Sequence, residues 1–310
     1  MSRFAVYWTF LRPFTLLVPA AGMISGALMG LGAPPHLQSV WASSPWGVAF
    51  DVAAGAAMAG ILNGFSNGIN QIFDLEVDRV NKPSRPLPSG RMNLAQAWTV
   101  SILCLLTALA LGALVNWQCL LMALAAVFFT TIYSAPPLRT KSRGLWANIT
   151  IAIPRGTLLI VAGWSCVKDI FESPQPWIVG GVFGLFFMGA ATTKDFSDIE
   201  GDRQGGCRTL PVLYGVRKAT LIIAPFFVFP FLGLLAAWAA GLLSADSRIL
   251  APLGLLLCLW GAYIARLLLK TSHQWTSAGS GGFENHPSWK HMYLLTLVAQ
   301  AGLALAYLVA

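Results

Sequence analysis

The sequence predicts an all-α membrane protein that crosses the bilayer about nine times. Three observations carry that expectation. Of its 310 residues only 10% are charged and 56% are hydrophobic, whereas a water-soluble domain carries roughly a quarter charged residues. Nine apolar stretches each approach the ~20 residues a helix needs to span a bilayer. Basic residues are also shared very unequally between the two sets of alternating loops that those stretches define.

The stretches can be taken in order. The first, 13–33, begins after Arg12, whose long side chain is placed to snorkel toward lipid phosphates. Residues 1–12 are too few, and too quickly followed by a full span, for a cleaved signal peptide. The second, 47–73, ends in an acidic cluster. The third, 93–115, and fourth, 118–134, carry no charge at all. The fifth, 146–167, is uncharged except for Arg155. An ionisable residue inside a span is a functional candidate; this one is expected either to contact a substrate or to act as counter-ion to an acid. The sixth, 176–197, ends in a second acidic cluster, and 218–241, 249–269 and 289–309 complete the set. Before the last span, Gly279-Ser280-Gly281-Gly282 reads as a flexible connector.

Of the 20 basic residues, 17 fall at the N-terminus and in the loops near 79–92, 135–145, 198–217 and 270–289. The opposite loops hold only Lys168 and Arg248. That asymmetry places the N-terminus in the cytoplasm and the C-terminus outside, and the absence of anything resembling a transit peptide suggests a bacterial cell membrane. It also accounts for the formal charge of +8 without a nucleic-acid partner. The five cysteines are scattered, and neither they nor the four histidines show a disulfide framework or zinc-ligand spacing. No Ser/His/Asp triad, glycine-rich nucleotide loop or haem pattern stands out.

Seven of the 12 acidic residues fall in two short segments at the ends of spans two and six. Asn70-Gln71-Ile72-Phe73-Asp74-Leu75-Glu76-Val77-Asp78-Arg79 and Lys194-Asp195-Phe196-Ser197-Asp198-Ile199-Glu200-Gly201-Asp202-Arg203 share the pattern D-x-E-x-D-R. Each is followed by a second match, Arg85-Pro86-Leu87-Pro88 and Arg208-Thr209-Leu210-Pro211. Two matches in the same order suggest an internal duplication of 70–88 and 194–211. Residues three and four apart share a helix face, so Asn70, Asp74 and Asp78 form one polar stripe, and Asp195, Asp198 and Asp202 another. Glu76 and Glu200 point elsewhere. Facing carboxylate stripes repel unless cations lie between them. Hard oxygen ligands suit Mg²⁺, which takes one or two carboxylates together with substrate phosphates. Two half-sites, each holding roughly one ion, make a clamp for a diphosphate.

On these motifs the chain resembles the UbiA-type membrane prenyltransferases. Asn70, Asp74 and Asp78 match the family's N-x-x-x-D-x-x-x-D motif, and Asp195, Asp198 and Asp202 match its D-x-x-D-x-x-x-D motif. The run Asn81 to Gly90 is similar to the N-x-P-x-R-P-[IL]-P-S-G signature, and Tyr133 to Lys141 to the Y-S-x-P-P-x-x-x-K stretch. Gln71, where many members have Asp, resembles the homogentisate prenyltransferase branch; Glu200 to Val212 is similar to the chlorophyll synthase branch.

The resemblance implies a single domain over 1–310 with helices around a central cavity and a cytoplasmic-side active site. It implies a prenyl diphosphate donor, an electron-rich lipophilic or aromatic acceptor drawn from the membrane, and Mg²⁺, expected as two ions. Asp74, Asp78, Asp198 and Asp202 would hold the metal, with Asn70 and Asp195 in support. Lys141, Arg139, Arg85 and Lys194 would donate to the diphosphate, and Tyr133 would add a hydroxyl. The acceptor and the donor's chain length stay open. Two rival readings remain at this point: a membrane terpene cyclase ionising the same donor without an acceptor, and, more remotely, a cation-binding transporter.

Overall fold

The computed structural model describes residues 2–274 and 286–310, and every regular element among them is helical. The glycine run expected as a connector lies outside the described residues. Eight stretches are long and apolar enough to cross a bilayer, and a ninth appears when two helices bent by 44° are taken together.

That ninth is the first span, and it differs from its sequence expectation. Helix α1 (Arg3–Leu11) stops at Arg12, whose backbone is left-handed at φ 58°. A 3-10 turn, Pro13–Thr15, then leads into α2 (Leu17–Gly32). Pro13 breaks the helix because it lacks an N–H and forces the preceding residue out of the α conformation. Sixteen residues rise only about 24 Å, so α2 alone falls short of a bilayer core. Side chains of the second span hold the bend: Asn67 Nδ2 donates to Leu11 O (3.0 Å) and Thr15 Oγ1 (2.8 Å), and Asn63 Nδ2 to Thr15 O (2.9 Å). Arg12, at the bend itself, is half-buried.

The next spans follow their expectations closely. In α3 (Pro45–Phe73), Ser44 Oγ accepts from Gly47 N–H (3.1 Å), and Pro45 occupies the first turn, where no N–H is needed. The short α4 (Leu75–Asn81) restarts the helix after Asp74. Asn93 and Gln96 cap α5 (Leu94–Val115) reciprocally, and Asn116 Oδ1 accepts from Cys119 N–H to start α6 (Trp117–Ser134). The fifth span, Leu145–Ser165, is one helix whose middle is widened: α7 (Leu145–Ala152) and α8 (Leu159–Ser165) flank a π-helical turn, Ile153–Leu158, with Pro154 and Arg155 inside it. The sixth is α9 (Gln175–Asp195), followed by the short α10 (Ile199–Gln204). The seventh is α11 (Leu210–Ile223), whose first turn is set off by a kink at Gly215 (φ 74°, ψ 164°) just before the expected start, and it reaches α12 (Phe229–Ala239) through a 3-10 turn containing Pro225. Helices α13 (Ser247–Gln274) and α14 (Pro287–Leu308) complete the bundle.

Small residues set the packing. A Cβ on Gly26 would strike the backbone of Ile160, and one on Gly163 the backbone of Met23, so α2 and α8 approach at glycine contacts. Lipid gives helices no hydrophobic reason to associate, and close approach plus polar contacts must do so. Accordingly Ser25 Oγ donates to Gln300 O (2.7 Å) between α2 and α14, and Asn148 Nδ2 to Met188 O (2.6 Å) between α7 and α9. Phe186 packs edge-on against Phe227 with centroids 5.8 Å apart, a core contact, while Phe128 is 57% exposed on the bundle surface.

Candidate active site

Spans two and six end in the same local shape. Helix α3 breaks at Asp74 (φ −102°, ψ 13°) and resumes as α4; α9 gives way near Asp198 (φ −106°, ψ 6°) to α10. Each break hands its aspartates to one shared space. A cavity of about 30 Å³ is lined by Asn70, Asp74, Asp78, Asp195, Asp198 and Asp202, and also by Tyr133, Lys82, Arg85, Lys141 and Lys194. All six polar residues of the two expected stripes therefore meet. Glu76 and Glu200 lie outside it, in exposed pairs with Arg79 and Arg203.

Inside, carboxylates and cations are interleaved. Asn70 Nδ2 donates to Asp74 Oδ2 (2.8 Å). Asp74 Oδ1 meets Lys141 Nζ and, at 3.3 Å, Arg139 Nη2. Asp78 pairs with Arg85 (2.5 Å), and Asp198 with Lys82 (2.5 Å) and more distantly with Lys194 (3.8 Å). Each of the four expected basic residues thus contacts a motif aspartate. Arg139 keeps one buried donor, Nε, without a partner.

The second motif is less balanced. Asp202 is 7% exposed, and Thr209 Oγ1 at 3.5 Å is its only side-chain hydrogen bond among the described residues. Burial pushes its carboxyl up to about 6, with Asp198 and Asp74 adding to the rise and Lys194 and Lys141 opposing it. Asp202 and Asp74, one from each motif, line the same cavity. For Asp198, burial acts upward, but Lys194 and Lys82 outweigh it and hold the carboxyl below its ordinary value. Burial, and then Lys194, lower the Lys82 ammonium.

Two residues in the cavity's frame carry more than the motif stripes foretell. Lys82 crosses from the first motif's loop to the second motif's Asp198. Asn81 donates to Asp198 O (3.0 Å) and accepts from Gly201 N–H (2.9 Å), clamping α10 to α4. The signal in the sequence was their place beside Arg85 in the repeated segment. Conversely, Gln71 is 1% exposed and faces away from the cavity, donating to Phe10 O (2.8 Å) and Asn67 O (3.0 Å). Arg155 contacts no motif aspartate at ion-pair distance among the described residues, so its expected alternative as a counter-ion is not realised.

The donor set fits a metal diphosphate better than a bare ion. Among the described residues no three Asp, Glu, His or Cys side chains converge to cage a cation. Mg²⁺ does not require such a cage, since phosphate oxygens and water fill much of its shell. Carboxylate oxygens and cations lining a single cavity match both halves of such a ligand.

A model described as the UbiA prenyltransferase family matches residues 23–279. Digeranylgeranylglyceryl phosphate synthase of Methanococcoides burtonii is 33% identical over 177 residues, covering 57% of this chain and 61% of that protein. The chloroplastic 2-acyl-4-prenylphloroglucinol 6-prenyltransferase of Humulus lupulus is 31% identical over 234 residues, covering 72% of this chain and 55% of that protein. The chain thus spans less than two thirds of these relatives' length. A UbiA homolog from Archaeoglobus fulgidus, solved bound to GPP and Mg²⁺, superposes with a TM-score of 0.73 at 20% identity, covering 98% of this chain and 100% of that one.

Proposed function

The chain belongs to the UbiA prenyltransferase family, and from that premise we propose that it moves a prenyl group from a prenyl diphosphate to an electron-rich lipophilic or aromatic acceptor, with Mg²⁺ as cofactor. The observation that carries this reading is the single cavity lined by the acids and bases of both motifs. The GPP and Mg²⁺ of the Archaeoglobus fulgidus homolog support it, as do relatives named as a digeranylgeranylglyceryl phosphate synthase and a 2-acyl-4-prenylphloroglucinol 6-prenyltransferase.

Asp74, Asp78, Asp195, Asp198 and Asp202, with Asn70, would hold the metal, which when bound neutralises the diphosphate leaving group. The ion pairs then exchange partners. Carboxylates released to the metal free Lys141, Arg139, Arg85 and Lys194 to donate to phosphate oxygens, where charge-assisted hydrogen bonds are strongest. Tyr133 lines the same cavity and offers its hydroxyl. The C–O bond between the allylic carbon and the diphosphate breaks, its electron pair leaving with the diphosphate. The acceptor's nucleophilic atom bonds to that carbon and gives up its proton. Buried walls keep water from the reacting carbon. The domain is read as single over 1–310, its two motif segments as an internal duplication, and its cavity as opening on the cytoplasmic side.

Purified protein is expected to release diphosphate from a prenyl diphosphate only with Mg²⁺ and an acceptor. Asp74→Ala and Asp198→Ala should each lower kcat/KM by about 10²-fold or more. Full turnover in both variants overturns the metal assignment. A labelled donor that yields a ring product without any acceptor favours the cyclase instead.

A further inference from the structure

Lys82 stands outside the expected diphosphate donors, yet it holds the second motif more closely than any of them. Its ammonium lies 2.5 Å from Asp198 Oδ1 and 2.6 Å from Oδ2. Ser197 Oγ donates to the same Oδ1 (3.2 Å), and Lys194 Nζ stands 3.8 Å from Oδ2. An ionised carboxylate offers about four lone-pair sites, so these contacts nearly fill Asp198. Asp195 and Asp202 differ: both line the cavity, and neither is ion-paired among the described residues.

The backbone beside Lys82 is fixed, and its side chain is not. Asn81 binds Asp198 O and Gly201 N–H, which anchors the neighbouring residue to α10. The Lys82 side chain is 27% exposed, lines the cavity, and carries its charge on a flexible four-carbon stem. Its ammonium can therefore turn from Asp198 to another anion in the cavity while the backbone stays in place. A divalent ion arriving alone must evict Lys82 from Asp198 and leave an ammonium unpaired among other cations. An ion arriving with a diphosphate brings the anion that Lys82 takes up, and phosphate oxygens complete the metal's shell. The balance of charge points the same way. The described residues lining the cavity carry five carboxylates against four cations, so little net charge draws in a bare ion, and losing Lys82 would double the excess.

We propose that Lys82 is a resident counter-ion of Asp198, which yields its place to a divalent metal when a diphosphate is present to receive the ammonium. Metal and donor then enter the second motif together, and not metal first. The inference rests on the prenyl-transfer reading and deepens it, since one lysine couples two ligands of the same site.

The test uses the full chain in nanodiscs of zwitterionic lipid and equilibrium dialysis of two probes, Mn²⁺ alone and labelled pyrophosphate at fixed Mg²⁺. Lys82→Met should bind bare Mn²⁺ about fivefold tighter, because a nearby positive charge is gone. The same variant should bind Mg²⁺-pyrophosphate about fivefold weaker, because a charge-assisted donor is lost. A variant that fails to fold loses both ligands, so the opposite signs separate the two cases. Lys82→Gln, made in parallel, should move both affinities in the same directions as Lys82→Met. Lys82→Arg keeps the charge and should hold bare Mn²⁺ within about twofold of the wild type. The proposal is overturned if neither neutral variant binds bare Mn²⁺ more tightly, or if both affinities move together. If bare Mn²⁺ tightens in the variants while no protein binds Mg²⁺-pyrophosphate, the counter-ion stands and the prenyl-transfer reading fails.

Discussion

Gln71 follows Asn70 in the first motif, yet its amide reaches back to close the end of α1 through Phe10 O. An aspartate there has no hydrogen to donate and would bring a buried charge toward two carbonyl oxygens. Gln71→Asp should therefore destabilise the protein by about 3 kcal/mol, read as a lower unfolding midpoint in detergent. An unchanged midpoint would show that position 71 tolerates charge and belongs to the metal face after all. At this scale the sequence was informative about acids and poor about their partners. Asp74, Asp78, Asp198 and Asp202 stand out because charges are rare in this chain and recur at matched spacing. Lys82 is one basic residue among several in its loop, and only the apposition of two distant segments puts its ammonium on Asp198.

Helix existence was legible, and helix interruption was not. A run of about 20 apolar residues reads the same whether it is a plain α-helix or one widened by a π turn. Prolines sit at the break after Arg12 and in the turn around Arg155, and the kink in α11 falls at Gly215. The matching breaks at Asp74 and Asp198 matter most, because each lets a short helix fold its last aspartate back over the cavity. Asn81 fixes the second of these short helices to the first with two hydrogen bonds. Asn81→Ala should lower kcat/KM about 10- to 100-fold through misplacement of Asp198 and Asp202. Asn81→Asp should be worse, since it sets a carboxylate against the Asp198 carbonyl. Activity equal to wild type in the alanine variant would mean that Lys82 alone positions α10.

Over the whole molecule, 17 of 20 basic residues gather on one set of loops, and the aspartate cavity lies among them. The fold class followed from composition, span length and this asymmetry, without any knowledge of tertiary contacts. How the bundle closes did not, because the glycine contacts between α2 and α8 and the polar ties to α14 leave no periodic trace in an all-apolar helix. An N-terminal epitope tag should be protected from protease in intact cells and cleaved after permeabilisation, while a C-terminal tag is cleaved in both. The reverse pattern would invert the bundle and move the cavity to the outer surface.

The tie running from Lys82 and Asn81 to Asp198 and Gly201 has a consequence for engineering. Residues 70–88 and 194–211 behave as one cassette split across the chain. A graft that imports one segment from a relative and keeps the other would mate a foreign loop with a native helix tip. Transplanting both together preserves the match, so recombinants should survive in pairs where single exchanges do not.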